Sequence, residues 1–127
     1  MKILKRIGII DIGSNSIRLV VFDGPKRSPL YLYNEKVFFR LGLQSFGKKA
    51  FDNATLKAVS RIINRYVAIC RNMEINKIIM FGTSALREAS NSDVLVEVIR
   101  KNTNIRVDII SGEKEAFYAA QGIFCLL

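Results

Sequence analysis

Histidine is absent from the 127 residues. Without an imidazole, acid–base work falls to carboxylates, or to lysine, tyrosine or cysteine, and the chain is poorly furnished for a structural zinc site. There are two cysteines, Cys70 and Cys125, and neither sits in a metal-like spacing. This sparse use points to a reducing, cytoplasmic setting. No apolar run approaches the roughly 20 residues of a membrane helix, so no membrane partner is expected. The basic start, Met1 to Arg6, is followed by an apolar stretch that Asp11 soon breaks, which is not a signal peptide. Internal repeats and low-complexity linkers are also lacking. What remains is a chain that is 50% hydrophobic and long enough for one domain with a real core.

The charge is uneven. Residues 1–50 hold 10 Lys or Arg against 3 Asp or Glu, and the rest of the chain 10 against 8, for a net charge of +9. A field of that sign draws polyanions: nucleic acid, polyphosphate, nucleotides or acidic surfaces. Basic residues also simply keep a surface soluble, so charge alone does not choose a partner.

The chain is organised around Ile7 to Val21. Ile7, Ile9 and Ile10 give an apolar strand, and Ile17, Leu19, Val20 and Val21 a second. Between them Asp11, Gly13, Ser14, Asn15 and Ser16 crowd small polar groups into one bend. Gly13 can take positive φ, which lets successive N–H groups converge on one point. Asp11 places a carboxylate at the strand end, where a hydrated Mg²⁺ fits. The combination suits a phosphate and its metal. It also suits an ordinary hairpin turn, for which Asn, Ser and Gly are usual.

Further along, Asp23-Gly24-Pro25 is a turn and Lys26 to Pro29 a short basic loop. Leu30 to Phe39 reads as a third strand of an antiparallel meander. Arg40 to Ala50 reads as a glycine- and lysine-bearing loop. Asp52 or Asn53 caps a long helix whose apolar face is Leu56, Val59, Ile63, Tyr66, Val67, Cys70 and Met73. Lys77 to Thr83 is a fourth strand and Ala85 to Ala89 a short helix. Ser90 to Asp93 offer capping choices for a helix with Val94, Leu95, Val98 and Ile99 inside. Ile105 to Ile110 is a fifth strand, and a last helix starts at Ser111-Gly112-Glu113 and runs toward Gly122. The apolar end, Phe124 to Leu127, packs on its own sheet or is covered by a further domain or partner. This order predicts an α/β fold of the ribonuclease H-like (actin-like ATPase) kind, a mixed five-stranded sheet with helices on its faces.

Three polar clusters follow strands: Asp11 to Ser16, Thr83 to Asn91, and Ser111 to Ala116. Binding sites collect at the carboxyl ends of parallel strands, and the first, fourth and fifth strands are expected to be parallel neighbours. All three clusters should therefore face one cleft. Arg18 and Arg87 offer forked contacts to phosphate oxygens. Ion pairing, as of Arg87 with Glu88 or Asp93, is the plainer alternative. In the third cluster Ser111 and Gly112 cap a helix, and Glu113 and Glu115 favour its dipole. The functional alternative is that one glutamate faces the cleft as the base for a water attacking phosphorus.

The pieces Asp11-Ile12-Gly13-Ser14-Asn15-Ser16-Ile17-Arg18-Leu19, Gly82 to Asn91 and Ile110 to Ala116 together resemble the exopolyphosphatase and guanosine pentaphosphate phosphohydrolase (Ppx/GppA) family of the actin-like superfamily. The resemblance covers nearly the whole chain, and corresponds to the family's N-terminal domain only. It implies that Gly13, Ser14, Asn15 and Ser16 form the first phosphate-binding loop and that Asn15, Arg18 and Arg87 contact phosphates. It implies that Asp11 positions Mg²⁺ and that Glu115 is the catalytic base. The substrate implied is inorganic polyphosphate or guanosine pentaphosphate. Lys114 stands where many members carry another glutamate. The family's second phosphate loop lies in a following domain, which is expected to be missing here. Residues 1–127 then form a single domain with weak or no hydrolysis alone, and an exposed inter-domain face open to self-association.

Three other readings compete. A related actin-like kinase or ATPase domain also uses a first phosphate loop, but Ser111 to Ala116 argues against it. A ribonuclease H-like nuclease needs several carboxylates around two metals. Asp11 is short of such partners, so nucleic acid is a disfavoured ligand. A non-catalytic polyanion-binding module fits the charge and the length.

Overall fold

The computed structural model describes residues 6–23, 31–41 and 50–120. The turn after Asp23, the basic loop 26–29, residues 42–49 and the apolar end 121–127 lie outside them. β1 (Ile7–Ile12), β2 (Ser16–Phe22) and β3 (Tyr31–Phe38) form the opening meander. α1 (Asn53–Asn72), β4 (Lys77–Gly82), α2 (Ser84–Glu88), α3 (Ser92–Thr103), β5 (Asp108–Ile109) and α4 (Gly112–Ala120) follow. The sheet order is β3-β2-β1-β4-β5. β1–β2 and β2–β3 pair antiparallel, whereas β1–β4 and β4–β5 pair parallel. The expected mixed sheet and its three parallel neighbours are present.

Alternation decides the layers. Ile10 and Ile12 of β1, Ile17, Leu19 and Val21 of β2, and Met80 of β4 point to one face and join the main core. α1 covers that face with Val59, Ile63, Tyr66, Val67 and Cys70, all buried, as its three-and-four spacing predicts. Leu56 and Met73 pack at its margin. Asp52 starts α1 by accepting from Thr55 N at 2.8 Å, the expected cap. The approach of α1 to β1 is close: a Cβ on Gly8 would stand 2.8 Å from Cys70 Sγ. Inside this layer Tyr66 Oη donates to the Ile17 carbonyl at 2.8 Å. On the opposite sheet face Val20 and Phe22 are buried, with Ile9 and Phe81 packed against them.

Three expectations need correction. The fifth strand spans two residues rather than Ile105 to Ile110. Ile105 N instead donates to Thr103 Oγ1 at 3.2 Å, so the start of that stretch finishes α3. The inner face of α3 is Ser92, Leu95, Ile99 and Thr103, while Val94 is 44% exposed and Val98 half-buried. A stripe one residue wide suffices where one helix crosses another. Among the residues offered as caps for α3, Asn91 takes the position but makes no side-chain cap bond. Its amide instead braces Phe51, donating to the carbonyl at 2.8 Å and accepting from the N–H at 2.9 Å.

Candidate functional site

The carboxyl ends of β1, β4 and β5 carry the three polar clusters, and side chains join them. Asp11 is the last but one residue of β1, directly opposite Arg18 on β2. The turn that follows closes with Gly13 N donating to Ser16 O at 2.9 Å. Gly13 does not occupy the left-handed region, contrary to expectation. A Cβ there would approach Ser16 O at 3.2 Å, a tight contact that the turn would have to yield slightly to admit. Ser14 Oγ hydrogen-bonds Ser84 Oγ, the first residue of α2, and so ties the first cluster to the second. The backbone repeats the link: Thr83 N donates to Ile12 O at 3.2 Å. Asn15 is exposed, and its carbonyl accepts from Phe39 N at 3.0 Å.

Arg87 joins the second cluster to the third. Its Nη1 donates to the Ile110 carbonyl at 2.7 Å and to Glu115 Oε2 at 3.0 Å. The sequence suggested local partners, Glu88 or Asp93; the observed partner is Glu115, in the first turn of α4. Ser111 caps that helix, as expected, by accepting from Lys114 N at 3.1 Å. Lys114 reaches back to Asp108 at 3.8 Å. Glu113 is exposed.

Asp11 is the most perturbed acid here. Burial pushes its carboxyl up to about 6, Glu115 pushes the same way, and Arg18 and Lys36 oppose. Its Oδ1 is buried without a hydrogen-bond partner among the described residues. A buried acceptor left unmade is costly, and a cation or a donor on a ligand would satisfy it. Asp11, Arg18, Arg87, Glu115 and the turn 13–16 therefore lie on one edge. No group of three or more acids, cysteines or histidines suited to a metal ion is found among the described residues.

Two residues of this edge escaped the sequence reading. Ser84 was legible as a member of the second polar cluster, ahead of a short helix, but not as a partner of the first. Its bond to Ser14 needs the β1–β4 register, which sets Ile12 against Gly82. Lys36 sits on β3 opposite Arg18 and over the Phe38 ring at 5.2 Å. Counting alternate residues through two hairpins would have found it, had the length of the second loop been fixed.

Comparisons with known proteins give the family and the fold. The family model of the Ppx/GppA phosphatase family matches residues 9–127. Exopolyphosphatase 1 of Mycobacterium leprae is 32% identical over 114 residues, 87% of this chain and 33% of its own length. A bifunctional 3-dehydroquinate synthase/phosphatase of Fusobacterium nucleatum is 30% identical over 121 residues, 90% of this chain and 18% of its own. The crystal structure of an exopolyphosphatase from Cytophaga hutchinsonii superposes with a TM-score of 0.86 at 32% identity, over 93% of this chain and 38% of that one. The chain thus spans a third or less of these two curated relatives. With a family model matched from the first strand to the last residue and the actin-like fold to go with it, the chain belongs to the Ppx/GppA phosphatase family.

Proposed function

We propose that the chain supplies one side of a phosphohydrolase cleft that removes the terminal phosphate of inorganic polyphosphate or guanosine pentaphosphate. The observation that carries this reading is the contact between Arg87 and Glu115, at 3.0 Å, on the edge where the Ser14–Ser84 bond gathers the phosphate-like turn. Glu115 Oε2 is held by Arg87, and its side chain remains 40% exposed. Oε1 is therefore free to orient a water. As that water oxygen bonds to the terminal phosphorus, its proton passes to Oε1. The bridging P–O bond breaks, and the chain leaves one phosphate shorter. The N–H groups and hydroxyls of Gly13, Ser14, Asn15 and Ser16 hold the phosphate oxygens, with Arg18 and Arg87 adding charge.

Mg²⁺ fits this edge. It takes one or two carboxylates plus phosphate oxygens rather than an all-protein cage, and Asp11, with Oδ1 unpartnered among the described residues, would hold it. Held there, the ion would supply positive charge against the negative charge of the phosphoryl group.

A second domain, placed across the cleft, completes phosphate clamping and excludes water; the 127 residues alone are the family's N-terminal domain and hydrolyse weakly or not at all. The test is phosphate release from polyphosphate with Mg²⁺, by this chain alone and with that domain added. Release only in the mixture supports the reading. Tight polyphosphate binding without release in either leaves a binding module.

A further inference from the structure

The sheet edge opposite the candidate site carries its own concavity. A cavity of about 500 Å³ opens between the end of α1, the start of β4 and the segment from α3 to β5. Its polar wall is Arg71, Asn76, Thr103, Asn104 and Arg106. A shallower groove continues from it between α1 and α3, sharing Arg71 and Thr103. Neither concavity has a carboxylate among its lining residues. Glu74, in the neighbouring turn, is exposed and lines neither.

The helix ends that meet here account for one arginine and not the other. The last carbonyls of α3 carry partial negative charge, and Arg71 Nη2 donates to Thr103 O at 2.6 Å. Asn104 N–H closes the helix on Arg100 O at 2.8 Å. Arg106 makes no hydrogen bond or ion pair among the described residues, and the side-chain amides of Asn76 and Asn104 make none either. Two guanidinium groups and two amide donors thus face one cavity with no acid to answer them. Arg71 offsets the negative carbonyl end of α3, so the uncompensated charge at the cavity is that of the exposed Arg106. A planar guanidinium fork matches phosphate oxygens, and the volume suits a small ligand.

We propose that this cavity binds a multiply charged phosphate anion, separately from the catalytic cleft. The six residues of β4 lie between the two sites, about 20 Å at roughly 3.3 Å per residue. One ligand cannot fill both through the same few atoms. The chemistry is shared by an inorganic oligophosphate and by the phosphate tail of a nucleotide. The proposal stands independently of the hydrolysis reading, whose residues sit at the other end of β4.

The experiment is an NMR titration of the 127-residue chain with tripolyphosphate and, separately, GTP, with sulfate at matched ionic strength as control. Saturable shifts are expected at Asn76, Asn104 and Arg106. Arg106→Gln, which removes an exposed and unpartnered group, weakens that response by at least about fivefold. Asn76→Asp weakens it too by placing an acid in the wall. Shifts at Gly13 to Ser16 are unchanged in both variants. Tighter saturation by tripolyphosphate assigns the site to inorganic chains, and tighter saturation by GTP assigns it to nucleotide tails; either supports it. Shifts confined to Gly13 to Ser16, an unaltered response in Arg106→Gln, or equal saturation by sulfate overturns it.

Discussion

Arg87 and Glu115, 28 positions apart, meet through a single nitrogen: Nη1 lies 3.0 Å from Glu115 Oε2 and 2.7 Å from the Ile110 carbonyl. One carboxylate oxygen is thereby restrained, which suits the base role proposed for Glu115. With the proposed second domain added, Glu115→Gln keeps the shape and the contact to Arg87 but cannot take a proton. Turnover is expected to fall by roughly 10²–10⁴, with polyphosphate binding kept within about twofold. Unchanged turnover would remove Glu115 from the mechanism.

Ser14 and Ser84 hold two loops together through their hydroxyls. Ser14→Ala and Ser84→Ala should each raise KM several-fold in the assembled enzyme, with kcat less affected. A double-mutant cycle on urea unfolding should give a coupling of about 1 kcal/mol. Strict additivity would mean that the hydroxyl pair does not tie the loops.

Asp11 makes stability depend on pH in an unusual direction. Its carboxyl is pushed up to about 6 by burial from an ordinary 3.8, so between these values the folded protein binds the proton and the unfolded chain does not. Stability therefore falls as pH rises from about 4 to about 6, and stays low above that. Metal-free Asp11→Asn should lose this slope and be more stable at pH 7 by up to about 3 kcal/mol. Adding Mg²⁺ should stabilise the unaltered chain and not the variant. Parallel stability–pH curves for the two proteins would refute the burial account.

Tyr66 is a purely structural counterpart. Its hydroxyl is buried and bonded to Ile17 O, and burial pushes it up to about 12. Tyr66→Phe should cost about 1–2 kcal/mol in urea unfolding at pH 7. Between pH 10 and about 12 the unfolded chain loses the phenolic proton first, so the unaltered protein loses stability as pH rises. The deficit of the phenylalanine variant should accordingly shrink at pH 11. A deficit that grows there would contradict the sign.

How far the sequence could be read depended on whether a feature was periodic or relational. The face of α1 repeats at three and four, and Val59, Ile63, Tyr66, Val67 and Cys70 are all buried. The crossover order alone implied that β1, β4 and β5 run parallel, which brings Asp11, Arg87 and Glu115 to one edge. The brevity of β5 was hidden because the apolar run Ile105 to Ile110 looks like a strand, whereas Thr103 draws its first N–H into the end of α3. The partner of Arg87 was hidden because Glu88 and Asp93 are close in sequence while Glu115 is close only in space. Gly13 was read as able to take a positive φ that it does not use; the approach of Ser16 O is invisible until the turn is built.

The close seating of α1 on β1 bears on any chemical probing of this protein. Cys70 Sγ fills the space over Gly8, and burial pushes the thiol up to about 11. It is poorly reactive while the protein is folded. A thiol reagent can label it only by lifting the helix from β1, the strand that carries Asp11. Inactivation by such a reagent, with Cys70 as the labelled site, would report loss of folding and not a nucleophilic cysteine, and protection by phosphate would measure how firmly the ligand holds β1 in place.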